Sequence, residues 1–131
     1  MLRPVLAILL VLALLASAPA PGALARGGGD DEVRVSAGCG RGASAELRLR
    51  AHHGAIGVEY RIRRARDGER WSVALVHERR VAWRGRATTH DDGLRIRRTL
   101  PDFAGADEVT ARASGPRGLT CTATGVLTTG S

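Results

Sequence analysis

The sequence predicts an all-β domain, an antiparallel sandwich of about 7–8 strands. Three observations carry this. Apolar and polar residues alternate with period 2 in segment after segment, turn signals recur every eight to twelve residues, and no stretch keeps the 3.6-residue period of a helix. The stretch Arg70–Thr89 shows the pattern most fully. Trp71, Val73 and Leu75 share one face, Val81, Trp83 and Ala87 share one face of the second half, and Glu78, Arg79 and Arg80 break the two apart. A hairpin with so large an apolar side needs other strands to cover it.

The chain before that domain reads differently. Arg3 is followed by twelve apolar residues, Val5–Ala16, and then by the small residues and prolines SAPAPGALA. That layout predicts a secretory signal peptide over residues 1–25, cut after Ala23-Leu24-Ala25, because Pro21 blocks the earlier Ala18-Pro19-Ala20 site. The apolar run is short for a membrane span of about 20 residues. A secreted, extracellular product is expected. Residues 26–31, RGGGDD, read as a flexible linker, residues 32–127 as one domain, and residues 128–131 as a tail.

The elements follow in order. Glu32–Cys39 is a strand with Val33 and Val35 on one face. Ser44–His52 alternates most cleanly, with Ala45, Leu47, Leu49 and Ala51 inward and Glu46, Arg48, Arg50 and His52 outward. After the turn at His53-Gly54, residues Ile56, Val58, Tyr60 and Ile62 face in. An Asp67-Gly68 turn leads to the hairpin, and HDDG at 90–93 makes the next turn. Leu94, Ile96 and Leu100 continue as a strand that Pro101 ends. PDFAGA crosses over with Phe103 placed to plug one end of the core. Glu108–Ala113 and Leu119–Leu127 are the last strands, joined by the turn GPRG. The core is aliphatic, so both tryptophans are expected in its middle.

Two cysteines, Cys39 and Cys121, stand at the two ends of the domain. In a secreted chain they pair most simply as one disulfide joining the first and last strands. For a loop of that length the chain-entropy model gives about 4–5 kcal/mol.

The chain carries a net charge of +7, and all 20 basic residues are arginine; it has no lysine, asparagine or glutamine. The absences point to a GC-rich bacterial genome, so the arginines have a compositional explanation. Their placement suggests a second one. Arg48 and Arg50, Arg61 and Arg63, Arg84 and Arg86, and Arg95 and Arg97 each sit at i, i+2, which puts both guanidinium groups on one face of a strand. With Arg79 and Arg80 at the hairpin turn, they form a candidate surface for a wall polymer, an acidic polysaccharide or an anionic lipid. A specific nucleic-acid reader is disfavoured, since few aromatics are free to stack on bases.

Catalysis has little support. No serine sits in a G-x-S-x-G elbow, and the carboxylate pairs are adjacent loop residues. The turns at His52-His53 and His90-Asp91-Asp92 offer metal-ligand chemistry. They keep open a small metal-dependent hydrolytic protein if both lie at one end of the sandwich. His77 reads as a half-exposed strand residue. No cofactor and no resident metal are expected, and the chain reads as a monomer.

Two segments resemble a known family. AGADEVTARA at 104–113 is similar to the loop and penultimate strand of immunoglobulin-like and fibronectin type III-like domains, and WSVALVHERRVAWRG at 71–85 to their middle strands. Together they resemble small secreted immunoglobulin-like domains of GC-rich actinobacteria. The resemblance implies a non-enzymatic interaction or adhesion module at or beyond the cell surface. Val109 stands where that family often has a corner tyrosine, and Cys39 and Cys121 are not placed to cross the middle of the core.

Overall fold

The computed structural model describes residues 32–128; the expected signal peptide and linker and residues 129–131 lie outside the described residues. Eight strands form two antiparallel sheets: β1 (Glu32–Gly40), β2 (Ala43–His52), β3 (Ala55–Arg63), β4 (Arg70–His77), β5 (Arg80–Thr88), β6 (Gly93–Pro101), β7 (Ala106–Ser114) and β8 (Thr120–Thr128). Sheet A runs β1-β2-β3-β6 and sheet B runs β5-β4-β7-β8. The chain makes β1, β2 and β3 as successive hairpins, crosses to sheet B for β4 and β5, returns for β6, and finishes with β7 and β8.

The alternation in the sequence becomes the division between core and surface. Leu47 and Leu49 of β2, Ile56, Val58, Tyr60 and Ile62 of β3, and Leu94, Ile96 and Leu100 of β6 are buried against Trp71, Val73 and Leu75 of β4 and Val109 and Ala111 of β7. Cys39 and Cys121 form a disulfide with their Cα atoms 4.4 Å apart, closing a sequence separation of 82. It ties β1 of one sheet to β8 of the other along one edge of the sandwich.

The hairpin departs from simple alternation. Leu75 pairs with Trp83 but Val76 pairs with Val81, so Ala82 is an extra residue in β5. Such a bulge re-aims the residues before it. Val81 therefore sits opposite the outward Val76 and is 49% exposed, not buried as the period predicts. The tryptophans separate as well. Trp71 is fully buried and packs against Gly115, where an added Cβ would run into the indole. Trp83 is only partly buried, on the edge strand, with its ring lying over Gly85. Above it stands the Arg98 guanidinium, 4.3 Å from the ring centroid. Arg98 holds an inward position of β6 between Ile96 and Leu100. It is accommodated because β6 is an edge strand and the indole face receives the cation.

Phe103 does not plug the core. It is 50% exposed and stacks on His77, ring centroids 4.7 Å apart. His77 in turn is buried, at 4% exposure, not half-exposed. Its Nε2 lies 2.7 Å from Oδ1 of Asp107, a fully buried carboxylate on the neighbouring strand β7.

Candidate anion-binding surface

Strand direction and register distribute the arginines over three places. Arg48 and Arg50 of β2 and Arg61 and Arg63 of β3 lie on the outer face of sheet A. Arg84 and Arg86 of β5 lie on the outer face of sheet B, and Arg79 and Arg80 are at the β4–β5 turn. At that turn Glu78 and Arg79 both have positive φ, 49° and 66°, as a two-residue hairpin of the primed type requires. With Arg95 and Arg97 of β6 also on the outer face of sheet A, the ten arginines are not one surface.

On sheet A the register sets arginine against glutamate. Glu32 accepts from Arg48 Nε at 2.8 Å, Arg34 Nε at 2.8 Å and Arg50 Nη2 at 2.8 Å. Those hydrogen bonds, with Arg48 the strongest contributor, hold the Glu32 carboxyl at about 2. Glu59 is paired with Arg97 at 3.3 Å, Arg95 at 3.5 Å and Arg61 at 3.7 Å. Between these clusters Gly57 leaves a depression of about 480 Å³ flanked by Arg48, Arg50 and Arg97. Of the six sheet A arginines singled out in the sequence, only Arg63 has no ion-pair partner among the described residues.

Sheet B is different. Its outward rows read Arg84–Ala74–Arg112–Thr122 and Arg86–Ser72–Ser114–Thr120 across β5, β4, β7 and β8. Between these arginines the central strand β4 presents the small residues Ser72 and Ala74. They form the floor of a trough of about 520 Å³, walled by Arg84 and Arg86 on one side and by Arg112 and Ser114 on the other. Strands are about 4.8 Å apart, so Arg84 and Arg112 stand about 10 Å apart at the backbone, while Arg84 and Arg86 are about 7 Å apart along theirs. Among the described residues none of these three guanidinium groups has a carboxylate partner. The trough is thus lined by three unpaired cations and two hydroxyls, the donor set for a phosphate, sulfate or carboxylate group. Arg112 is absent from the sequence-level set because it is the lone arginine of its strand, and the i, i+2 criterion passes over it.

The histidine turns do not meet. Ala55 pairs with Pro101 and Arg63 with Gly93, so the β2–β3 turn with His52 and His53 and the β5–β6 turn with His90, Asp91 and Asp92 lie at opposite ends of β3. His52 and His53 face each other edge to face at 4.2 Å, and His90 Nδ1 contacts Asp91 at 3.3 Å. No single ion can be shared between the two turns.

A second polar cluster was not visible in the sequence. It joins His77, at the end of β4, to Asp107, 30 residues away at the start of β7. Burial pushes the Asp107 carboxyl up, but hydrogen bonds with His77 and Asp102 and from the Phe103 amide bring it below its ordinary value.

Compared with known proteins, the chain matches no family model, no curated protein and no solved structure at a significant level.

Proposed function

We propose that the chain is a secreted, non-enzymatic binding module of immunoglobulin-like or fibronectin type III-like build, and that it takes an anionic polymer in the trough of sheet B. The observation that carries the ligand class is that Arg84, Arg86 and Arg112, around a floor of Ser72 and Ala74, have no carboxylate partner among the described residues. A surface arginine that already shares a glutamate must give up that contact to bind an external anion; these three need give up nothing but water. The two serine hydroxyls add neutral donors, which suits an oxyanion with several acceptor oxygens. At the cell surface the chemistry that fits is a wall polymer, an acidic polysaccharide or a lipid headgroup.

The build is supported by the pairing of β3 with β6 and of β4 with β7, each joining strands separated by two others that lie wholly or partly in the opposite sheet. Immunoglobulin-like domains interleave their two sheets in this way, with β1 here as an added outer strand. Secretion is supported by the apolar run and small-residue cleavage site before residue 26 and by the disulfide.

The test is retention of the purified chain on an immobilised phosphate-bearing wall polymer and on heparin. The variant Arg84→Ala, Arg86→Ala, Arg112→Ala is expected to elute at much lower salt than wild type. The variant Arg48→Ala, Arg50→Ala, Arg61→Ala, Arg63→Ala is expected to elute closer to wild type. The reverse order would move the site to sheet A, and no salt-sensitive retention of the wild type would remove the reading altogether.

A further inference from the structure

The end of the sandwich that carries His77 holds a set of groups with no part in anion binding. His77, Glu78 and Asp107 each present one ligand atom, and these atoms all lie within 4.8 Å of one another. From this juxtaposition we propose that His77, Glu78 and Asp107 form a site for a first-row divalent cation of the zinc type.

Three features of the molecule argue for a ligand there. The first is the donor set. One imidazole nitrogen and two carboxylate oxygens suit zinc and its neighbours better than magnesium or calcium, which prefer all-oxygen shells. With the imidazole neutral, the two carboxylates balance a dication. Metal–ligand bonds of 2.0–2.1 Å in a tetrahedron put the ligand atoms roughly 3.3 Å apart, so the hydrogen-bonded His77–Asp107 pair, 2.7 Å apart, opens slightly and Glu78 closes toward it when an ion binds.

The second is the state of Asp107. Its Oδ1 receives the Phe103 amide and faces His77 Nε2. Its Oδ2 is buried and accepts no N–H, while the Asp102 carboxyl is hydrogen-bonded to the Asp107 carboxyl beside it. Two carboxyl groups in that contact hold either a shared proton or a positive centre between or beside them. A cation bound at Asp107 supplies that positive centre.

The third is access. His77 and Glu78 line a depression of about 470 Å³, with Arg80, Thr99 and Phe103 also on its wall, so the way in to the buried imidazole lies past the exposed Phe103 ring stacked on it. Glu78 is exposed at the turn, where its Oε1 accepts the Glu108 amide at 2.6 Å. An ion held here would clamp the end of β4 to the start of β7, the same strands that carry the floor and one wall of the sheet B trough.

The experiment is titration of the chelator-stripped full chain with Zn²⁺ alone, read by calorimetry and by thermal melting. The expected result is one ion per chain and a rise in melting temperature that EDTA reverses. Glu78→Gln, an exposed change that keeps the hydrogen bond to Glu108, is expected to weaken binding at least about 10-fold without lowering the metal-free melting temperature. His77→Gln is expected to weaken it further. His52→Ala with His53→Ala, and His90→Ala, are expected to leave it unchanged. Failure of the wild type to bind one ion, equal binding by Glu78→Gln, or binding that is lost only with His52 and His53 would each overturn the site. None of these results depends on whether the chain retains a polymer.

Discussion

Arg84 and Arg112 stand on either side of Ala74 in one row of sheet B, each its direct cross-strand neighbour, with no carboxylate partner for either among the described residues. On sheet A the corresponding row runs Arg34–Arg48–Glu59–Arg97, with a glutamate between arginines. The contrast between a small residue and an acid at the centre of the row separates a surface ready for an external anion from one that supplies its own.

The two tryptophans differ in cost. Trp71→Ala empties a fully buried site and is expected to lower stability by about 3–5 kcal/mol. Trp83→Ala removes a partly buried ring and one cation–π contact and is expected to cost about half as much. Urea unfolding of both variants checks this; equal losses would contradict the edge position of Trp83.

Tyr60 sets the alkaline limit. Burial raises its phenol from 10.0 to about 12. The folded protein keeps the proton up to that pH while the unfolded chain releases it near 10. The stability linked to Tyr60 is therefore full below pH 10 and declines as pH rises toward 12. Its hydroxyl is also buried without a hydrogen-bond partner. Tyr60→Phe is expected to raise stability at pH 7 by about 1 kcal/mol and to flatten the decline above pH 10. A loss of stability at pH 7 would mean that the hydroxyl has a partner.

Glu32 works in the opposite direction. Its carboxyl is lowered from 4.5 to about 2 by Arg48, Arg34 and Arg50. The stabilisation it gives to the β1–β2 pair is present above pH 4.5 and is lost as pH falls toward 2. A carbon-13 titration of the Glu32 carboxyl is expected to show a midpoint near 2. A midpoint at the ordinary 4.5 would mean that the three arginines do not hold it.

Much of the architecture is legible in the sequence because it is local. The period-2 stripes of Ser44–His52 and Ala55–Arg63 separate core from surface residue by residue, and Cys39 and Cys121 close on each other as their even count suggests. What escapes the sequence is set by partners far along the chain. The bulge at Ala82 has no marker of its own, since it exists only relative to Leu75 and Val76, and it turns Val81 outward. His77 reads as an ordinary strand residue until Asp107 is brought beside it. The arginines show the same limit. Their i, i+2 spacing fixes which face of a strand they occupy, but not which sheet that strand joins nor whether a glutamate stands opposite.

The central claim is that the sheet B trough is the anion site, and the salt dependence of polymer binding tests it most directly. Each guanidinium that displaces a counterion adds close to one unit to the slope of log affinity against log salt. Removal of Arg84, Arg86 and Arg112 is expected to reduce that slope by about two to three, and removal of Arg48, Arg50 and Arg61 by less than one. A slope unchanged by the first substitution, or reduced more by the second, would contradict the account.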